Sequence, residues 1–144
     1  MRGLALIAAA TVLAGAASPA LAQNIYISQL YNQVLENGDI MGGGYSLDSF
    51  GVQRMLPGDR FRVPVVVPAN SNLTIMGDCD EDCVDIDIIV YDQGGAKLGE
   101  DVLADNFPVV NLAIGSSGYL QVEMNMADCQ AVYCYAAYSI FVAN

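Results

Sequence analysis

The chain of 144 residues sets 5 Lys and Arg against 16 Asp and Glu, a net charge of −11, and contains no His and no Trp. A chain this acidic does not neutralise phosphates, which excludes a nucleic-acid partner. Without His there is no Ser-His-Asp or Cys-His catalysis, no His-ligated zinc and no side chain that titrates near neutrality of its own accord.

Met1-Arg2 starts with a positive charge, Leu4 to Ala17 is apolar and uncharged, and Ala20-Leu21-Ala22 is an A-x-A cleavage signature ahead of Gln23. The apolar run falls short of the roughly 20 residues that cross a bilayer as a helix. Residues 1–22 are therefore read as a signal peptide, and no membrane span is expected. The remainder is long enough for one domain with one core. It divides into residues 23–43, an N-terminal helix and flexible joint, and residues 44–144, a β-sandwich domain.

Ile27, Leu30, Tyr31 and Val34 recur at i, i+3, i+4 and i+7, the apolar stripe of a short helix expected to lie against the main body. Ser28 is the expected cap and Asn37-Gly38 the expected stop. Met41-Gly42-Gly43-Gly44 is read as the joint; no Gly-Lys-Ser/Thr follows to make it a phosphate loop. Period two then takes over. Phe61, Val63, Val65 and Val67 mark a strand, with Pro64 placing it at a sheet edge. Leu73 to Met76 is the next. Val84, Ile86, Ile88 and Val90 give the clearest alternation, and Asp92-Gln93-Gly94-Gly95 turns that strand back into Ala96 to Glu100. Phe107 to Ile114, Tyr119 to Met124 and Tyr133 to Val142 follow. Short strands with turn signals every roughly 8–12 residues predict an all-β protein, an antiparallel β-sandwich of jelly-roll-like form with one short N-terminal helix.

Cys79, Cys83, Cys129 and Cys134 form a C-x3-C and a C-x4-C pair. An even count in an exported chain implies two disulfides, and three pairings are open. The local pairs Cys79–Cys83 and Cys129–Cys134 are favoured. Each adds only about 2 kcal/mol by loop entropy, against about 4 for a link between residues 79 and 134, so local bridges act mainly to fix two loop shapes. The rival, a four-Cys zinc ribbon, needs tighter C-x2-C spacing and a reducing compartment.

Leu56-Pro57-Gly58 precedes the first core strand, Asp85-Ile86-Asp87-Ile88-Ile89-Val90-Tyr91-Asp92 runs into Gly94-Gly95, Gly118-Tyr119-Leu120-Gln121-Val122 follows, and Tyr135 to Val142 is Tyr-rich. On these motifs the stretch from about Leu56 to Val142 resembles the bacterial pre-peptidase C-terminal domain, a small β-sandwich often appended to secreted peptidases. Gly77 to Cys83, Gly-Asp-Cys-Asp-x-Asp-Cys, is similar to a subgroup of stand-alone exported proteins. The resemblance implies a periplasmic or secreted accessory module in a bacterium. It also implies Asp85 and Asp87 as calcium ligands, since some relatives bind that ion. No peptidase domain accompanies the motifs in this sequence, so the accessory role transfers only in part.

Seven acids crowd residues 78–92, namely Asp78, Asp80, Glu81, Asp82, Asp85, Asp87 and Asp92, and no Lys or Arg falls between Arg62 and Lys97. Alternating strand directions bring residues 78–83, 101–106 and 127–132 to one end, so both Cys-bearing loops share a rim with most of the acids. Packed like charges raise carboxylate pKa values or call in a cation. Calcium, an oxygen-seeking ion, is the expected cofactor, with Asp78, Asp80, Asp82, Asp85 and Asp87 as its pool of ligands. The segment is not an EF-hand: Cys83 stands where that loop needs Gly, and Ile89 where it needs Glu.

An enzyme is not expected. The reading is an exported module for recognition or structural support, with a protein or polysaccharide partner and Tyr91 and Tyr133 as candidate contact residues. The alternative is an assembly subunit acting through an edge strand or the N-terminal helix.

Overall fold

A computed structural model describes residues 24–144; the signal-peptide reading of residues 1–22 lies outside them. A helix, α1 (Ile25–Met41), leads through a 3-10 turn at Gly42–Gly44 into eight strands. These are β1 (Tyr45–Met55), β2 (Arg60–Val66), β3 (Asn72–Cys79), β4 (Cys83–Tyr91), β5 (Lys97–Asp101), β6 (Val109–Ala113), β7 (Tyr119–Cys129) and β8 (Cys134–Ala143).

The strands form two four-stranded sheets, β1-β8-β3-β6 and β2-β7-β4-β5, with every pair antiparallel. This is the two-sheet arrangement of a jelly roll. Pro64, which has no N–H to give a second neighbour, lies on β2 at the edge of its sheet. The inner faces follow the period of two. Ile86, Ile88 and Val90 of β4 are fully buried and meet Val122, Met124 and Met126 of β7. Each such side chain contributes about 1.5–3 kcal/mol when withdrawn from water.

The period-two reading missed β1. Its sequence, YSLDSFGVQRM, scarcely alternates, because it is half exposed and its register slips between Leu47 and Ser49. Pairing with β8 over its whole length makes it a strand, and that is a tertiary effect.

The helix also differs from expectation at both ends. It starts at Ile25, where the Asn24 side chain accepts from the backbone N–H of Tyr26 (3.1 Å) and Ile27, so Asn24 and not Ser28 is the cap. It runs through Asn37-Gly38 because Asn37 turns into the protein, and it ends at Gly42, whose φ of +69° suits glycine. Leu30 and Val34 are buried against Ala137, Val52 and Tyr135 on the outer face of the first sheet. Ile27 and Tyr31 are largely exposed, and Tyr31 instead meets Phe50 at a ring distance of 5.9 Å.

The end of β2 is tied to the β6–β7 turn by the Val67 N–H donating to the Gly118 carbonyl at 2.8 Å. A Cβ on Gly118 would stand 2.0 Å from the Val67 carbonyl oxygen, and backbone cannot move aside as a side chain does. Gly118→Ala is expected to cost about 2 kcal/mol or more, read as a lowered midpoint in thermal or urea unfolding. An unchanged midpoint would show that this turn is not packed as described.

Candidate functional site

Three loops meet at one end of the sandwich: residues 80–82, 102–108 and 130–133. Cys79 bonds Cys83 and Cys129 bonds Cys134, and no cysteine among the described residues is free. The two clasped loops lie side by side, since Cys83 and Cys129 are register partners across β4 and β7. The Gln130 N–H donates to the Asp82 carbonyl at 2.8 Å, and the Ile86 N–H donates to the Asp105 carbonyl at 3.0 Å, which brings the third loop in.

Asp80 fastens this rim. Its N–H donates to the Tyr135 carbonyl (3.0 Å), its carbonyl accepts from the Cys83 N–H (3.1 Å), and its Oδ2 accepts from the Tyr135 N–H (2.7 Å). The residue is 3% exposed, and its Oδ1 has no protein partner. Burial pushes its pKa up, the backbone N–H groups of Tyr135 and Asp82 oppose the rise, and the charges of Asp82 and Glu81 add to it.

Tyrosines build the wall beside it. Tyr26 of α1 stacks on Tyr135 with centroids 6.0 Å apart, and Tyr133 meets Tyr135 edge-on at 5.7 Å. The Tyr135 hydroxyl accepts from Asn24 Nδ2 at 2.7 Å, so the helix cap also orients this ring. Arg54 places its guanidinium carbon 5.0 Å from the Tyr133 centroid. Between these elements lies a cavity of about 250 Å³ lined by Tyr26, Asp80, Asp82, Ala131, Val132 and Tyr133. The acids raise the pKa of the Tyr26 phenol, Asp82 most, then burial, Glu81 and Asp80. Larger hollows of about 360 Å³, at the far end near Gly115 to Ser117, and about 550 Å³, between α1 and β1, have no buried acid in their lining.

The five aspartates of the expected calcium pool occupy three places. Asp78 projects from the outer face of β3 under α1, where its Oδ2 accepts from Asn37 Nδ2 at 2.8 Å. Asp80 and Asp82 border the cavity. Asp85 and Asp87 lie on β4, on the outer face of the other sheet. The Asp87 Oδ2 accepts from Asn125 Nδ2 at 2.6 Å, and Asp85 sits opposite Asp128 where the β4–β7 register slips. Asp85 has one buried oxygen without a partner, and its pKa is raised by burial and by Asp87, Asp105 and Asp128. Among the described residues no three Asp, Glu or Cys side chains converge to hold a metal ion, and the five aspartates are spread over these three places. Strand alternation separates them: a sequence cluster that crosses from one sheet to the other sends its side chains to opposite faces.

Of the expected contact residues, Tyr133 borders the cavity, whereas Tyr91 lies on the second sheet under the Arg62 guanidinium, 4.0 Å from its ring centroid. Sequence reasoning missed Tyr26, Tyr135 and Arg54. Only the spacing of Tyr133 and Tyr135 beside Cys134 hinted at an aromatic group there.

No family model and no curated protein matches the chain. Among solved structures it is similar to a periplasmic inhibitor of g-type lysozyme from Aeromonas hydrophila, at 13% identity and a TM-score of 0.44, over 72% of this chain and 88% of that one.

Asp78, under α1 and outside the cavity lining, gives the fold a pH signature. Burial raises its pKa from the ordinary 3.8 to about 6, against the lowering effect of the Asn37 amide. A raised carboxyl pKa means that the folded state holds the proton more tightly. The contribution is full below the unfolded value and is lost as pH rises through about 6. Asp78→Asn, which mimics the protonated group, is expected to gain in melting temperature relative to the parent as pH rises from 5 to 7.5. A flat difference curve across that interval would count against a buried, raised carboxyl at this position.

Proposed function

We propose that the protein is an exported, non-enzymatic recognition module whose disulfide-clasped acidic rim docks a positively charged protein surface. The observation that carries this reading is uncompensated charge. Among the described residues, Arg60 and Arg62 pair with Glu123 and Lys97 pairs with Glu100, while Arg54 lies over Tyr133. None of the four forms an ion pair with Asp80, Glu81, Asp82, Asp85, Asp105 or Asp128. A one-signed patch on a rigid frame steers an oppositely charged partner and sets its orientation.

Export is supported by the signal-like start of the sequence and by two disulfides, which persist in oxidising compartments. The lack of His favours binding over acid–base turnover. A small accessory module of the pre-peptidase C-terminal kind is the sort of domain this reading describes.

The test compares two doubly neutralised variants on immobilised poly-L-lysine, with poly-L-glutamate as the control. Glu81→Gln/Asp128→Asn removes charge at the rim. Asp39→Asn/Asp48→Asn removes the same charge from exposed positions towards the other end. Binding by the parent is expected to weaken steeply with salt, and the rim variant to lose about tenfold in affinity where the other loses about twofold or less. Equal losses would reduce the effect to net charge and remove the rim as the docking site.

A further inference from the structure

We infer that the cavity between Tyr26 and Tyr133 seats the guanidinium of an arginine side chain presented by the partner; this deepens the rim-docking reading and rests on it. Four features of the cavity point to that group.

The first is size. At about 250 Å³ the cavity lies below the roughly 300 Å³ at which pockets for drug-sized ligands begin, and it suits one side chain. The second is charge. Asp80 and Asp82 are both wall residues, and no Lys or Arg is among the lining residues.

The third is an unmet hydrogen-bonding need. Asp80 is 97% withdrawn from solvent, given its 3% exposure, and only one of its two carboxylate oxygens has a partner. Buried carboxylate oxygens are ordinarily paired, and Oδ1 is itself withdrawn from solvent, so an incoming donor meets that need only when the wall formed by Asp80 gives way locally. The fourth is the wall chemistry. Tyr26 and Tyr133 are aromatic lining residues beside these acids, and Tyr133 already takes a guanidinium from within the chain, that of Arg54. A flat, weakly hydrated cation with several donors satisfies rings and carboxylates together, which a compact ammonium does less well. The disulfide at Cys129–Cys134 spans the loop carrying Ala131, Val132 and Tyr133, so the wall is fixed before a ligand arrives.

The experiment titrates the purified protein with N-acetyl-arginine methylamide, with the citrulline analogue as the uncharged isostere, following tyrosine ring and backbone resonances by NMR. Saturable shifts are expected at Tyr26, Tyr133 and Asp82, at least fivefold weaker for the citrulline compound and for Asp82→Asn. That variant keeps the backbone contact from Gln130 to Asp82 and so tests charge without disturbing the loop. Tyr26→Leu is a second variant, in the helix-borne part of the lining, and is expected to weaken binding likewise. Equal binding of the two compounds, or shifts confined to Glu81, Asp105 and Asp128, overturns the cavity assignment. Poly-L-lysine binding that still depends on Glu81 and Asp128 would then leave the rim reading standing. Loss of that dependence, with the cavity titration intact, would instead remove the rim reading alone.

Discussion

Asp80 spends all of its backbone and half of its carboxylate on two neighbours, Tyr135 and Cys83, and the rim is organised around that expenditure. The Cys79–Cys83 loop is closed by its disulfide and held at its two ends by the β3–β8 and β4–β7 ladders, and Asp80 adds the contact between its interior and β8. With it, the loop is locked to the first residues after Cys134, and the ring of Tyr135 is held where Tyr26 and Tyr133 can pack on it. Burying a carboxylate is costly, and the cost is offset only where hydrogen bonds replace water. One oxygen is satisfied and the other is not, so the same residue that gives the rim its order leaves it chemically unfinished.

The helix belongs to this arrangement as much as the loops do. Its N-terminus delivers Tyr26 to the aromatic group, and its cap residue Asn24 bonds the Tyr135 hydroxyl. A further turn along, Leu30 and Val34 cover the outer face of the first sheet, and Asn37 reaches the buried Asp78. The apolar pair holds helix to sheet by burial, and the amide–carboxylate contact adds a directional tie between α1 and β3.

Much of this was legible in the sequence. The alternation of Val84 to Val90 and the turn at Asp92 to Gly95 fixed the β4–β5 hairpin, and the Asp92 side chain does accept from the Ala96 N–H there, at 2.8 Å. Pro64 marked an edge, and counting strand directions brought both Cys-bearing loops to one end. Two kinds of information were not legible. Strand β1 and the last turn of α1 are decided by partners far away in sequence, so no local pattern announces them. The acids were visible as a run, but a run has no faces. Only the sheets determine that Asp78 looks towards the helix, Asp82 towards the tyrosines and Asp87 towards Asn125.

The position of β8 has a consequence for biogenesis. This strand lies inside the first sheet, hydrogen-bonded to β1 on one side and β3 on the other, with Tyr45 opposite Ala143 and Leu73 opposite Val142. A polypeptide that emerges N-terminus first therefore cannot complete that sheet until residues 134–143 are available. Such distant pairings slow folding, because loop closure must come before the contacts that reward it.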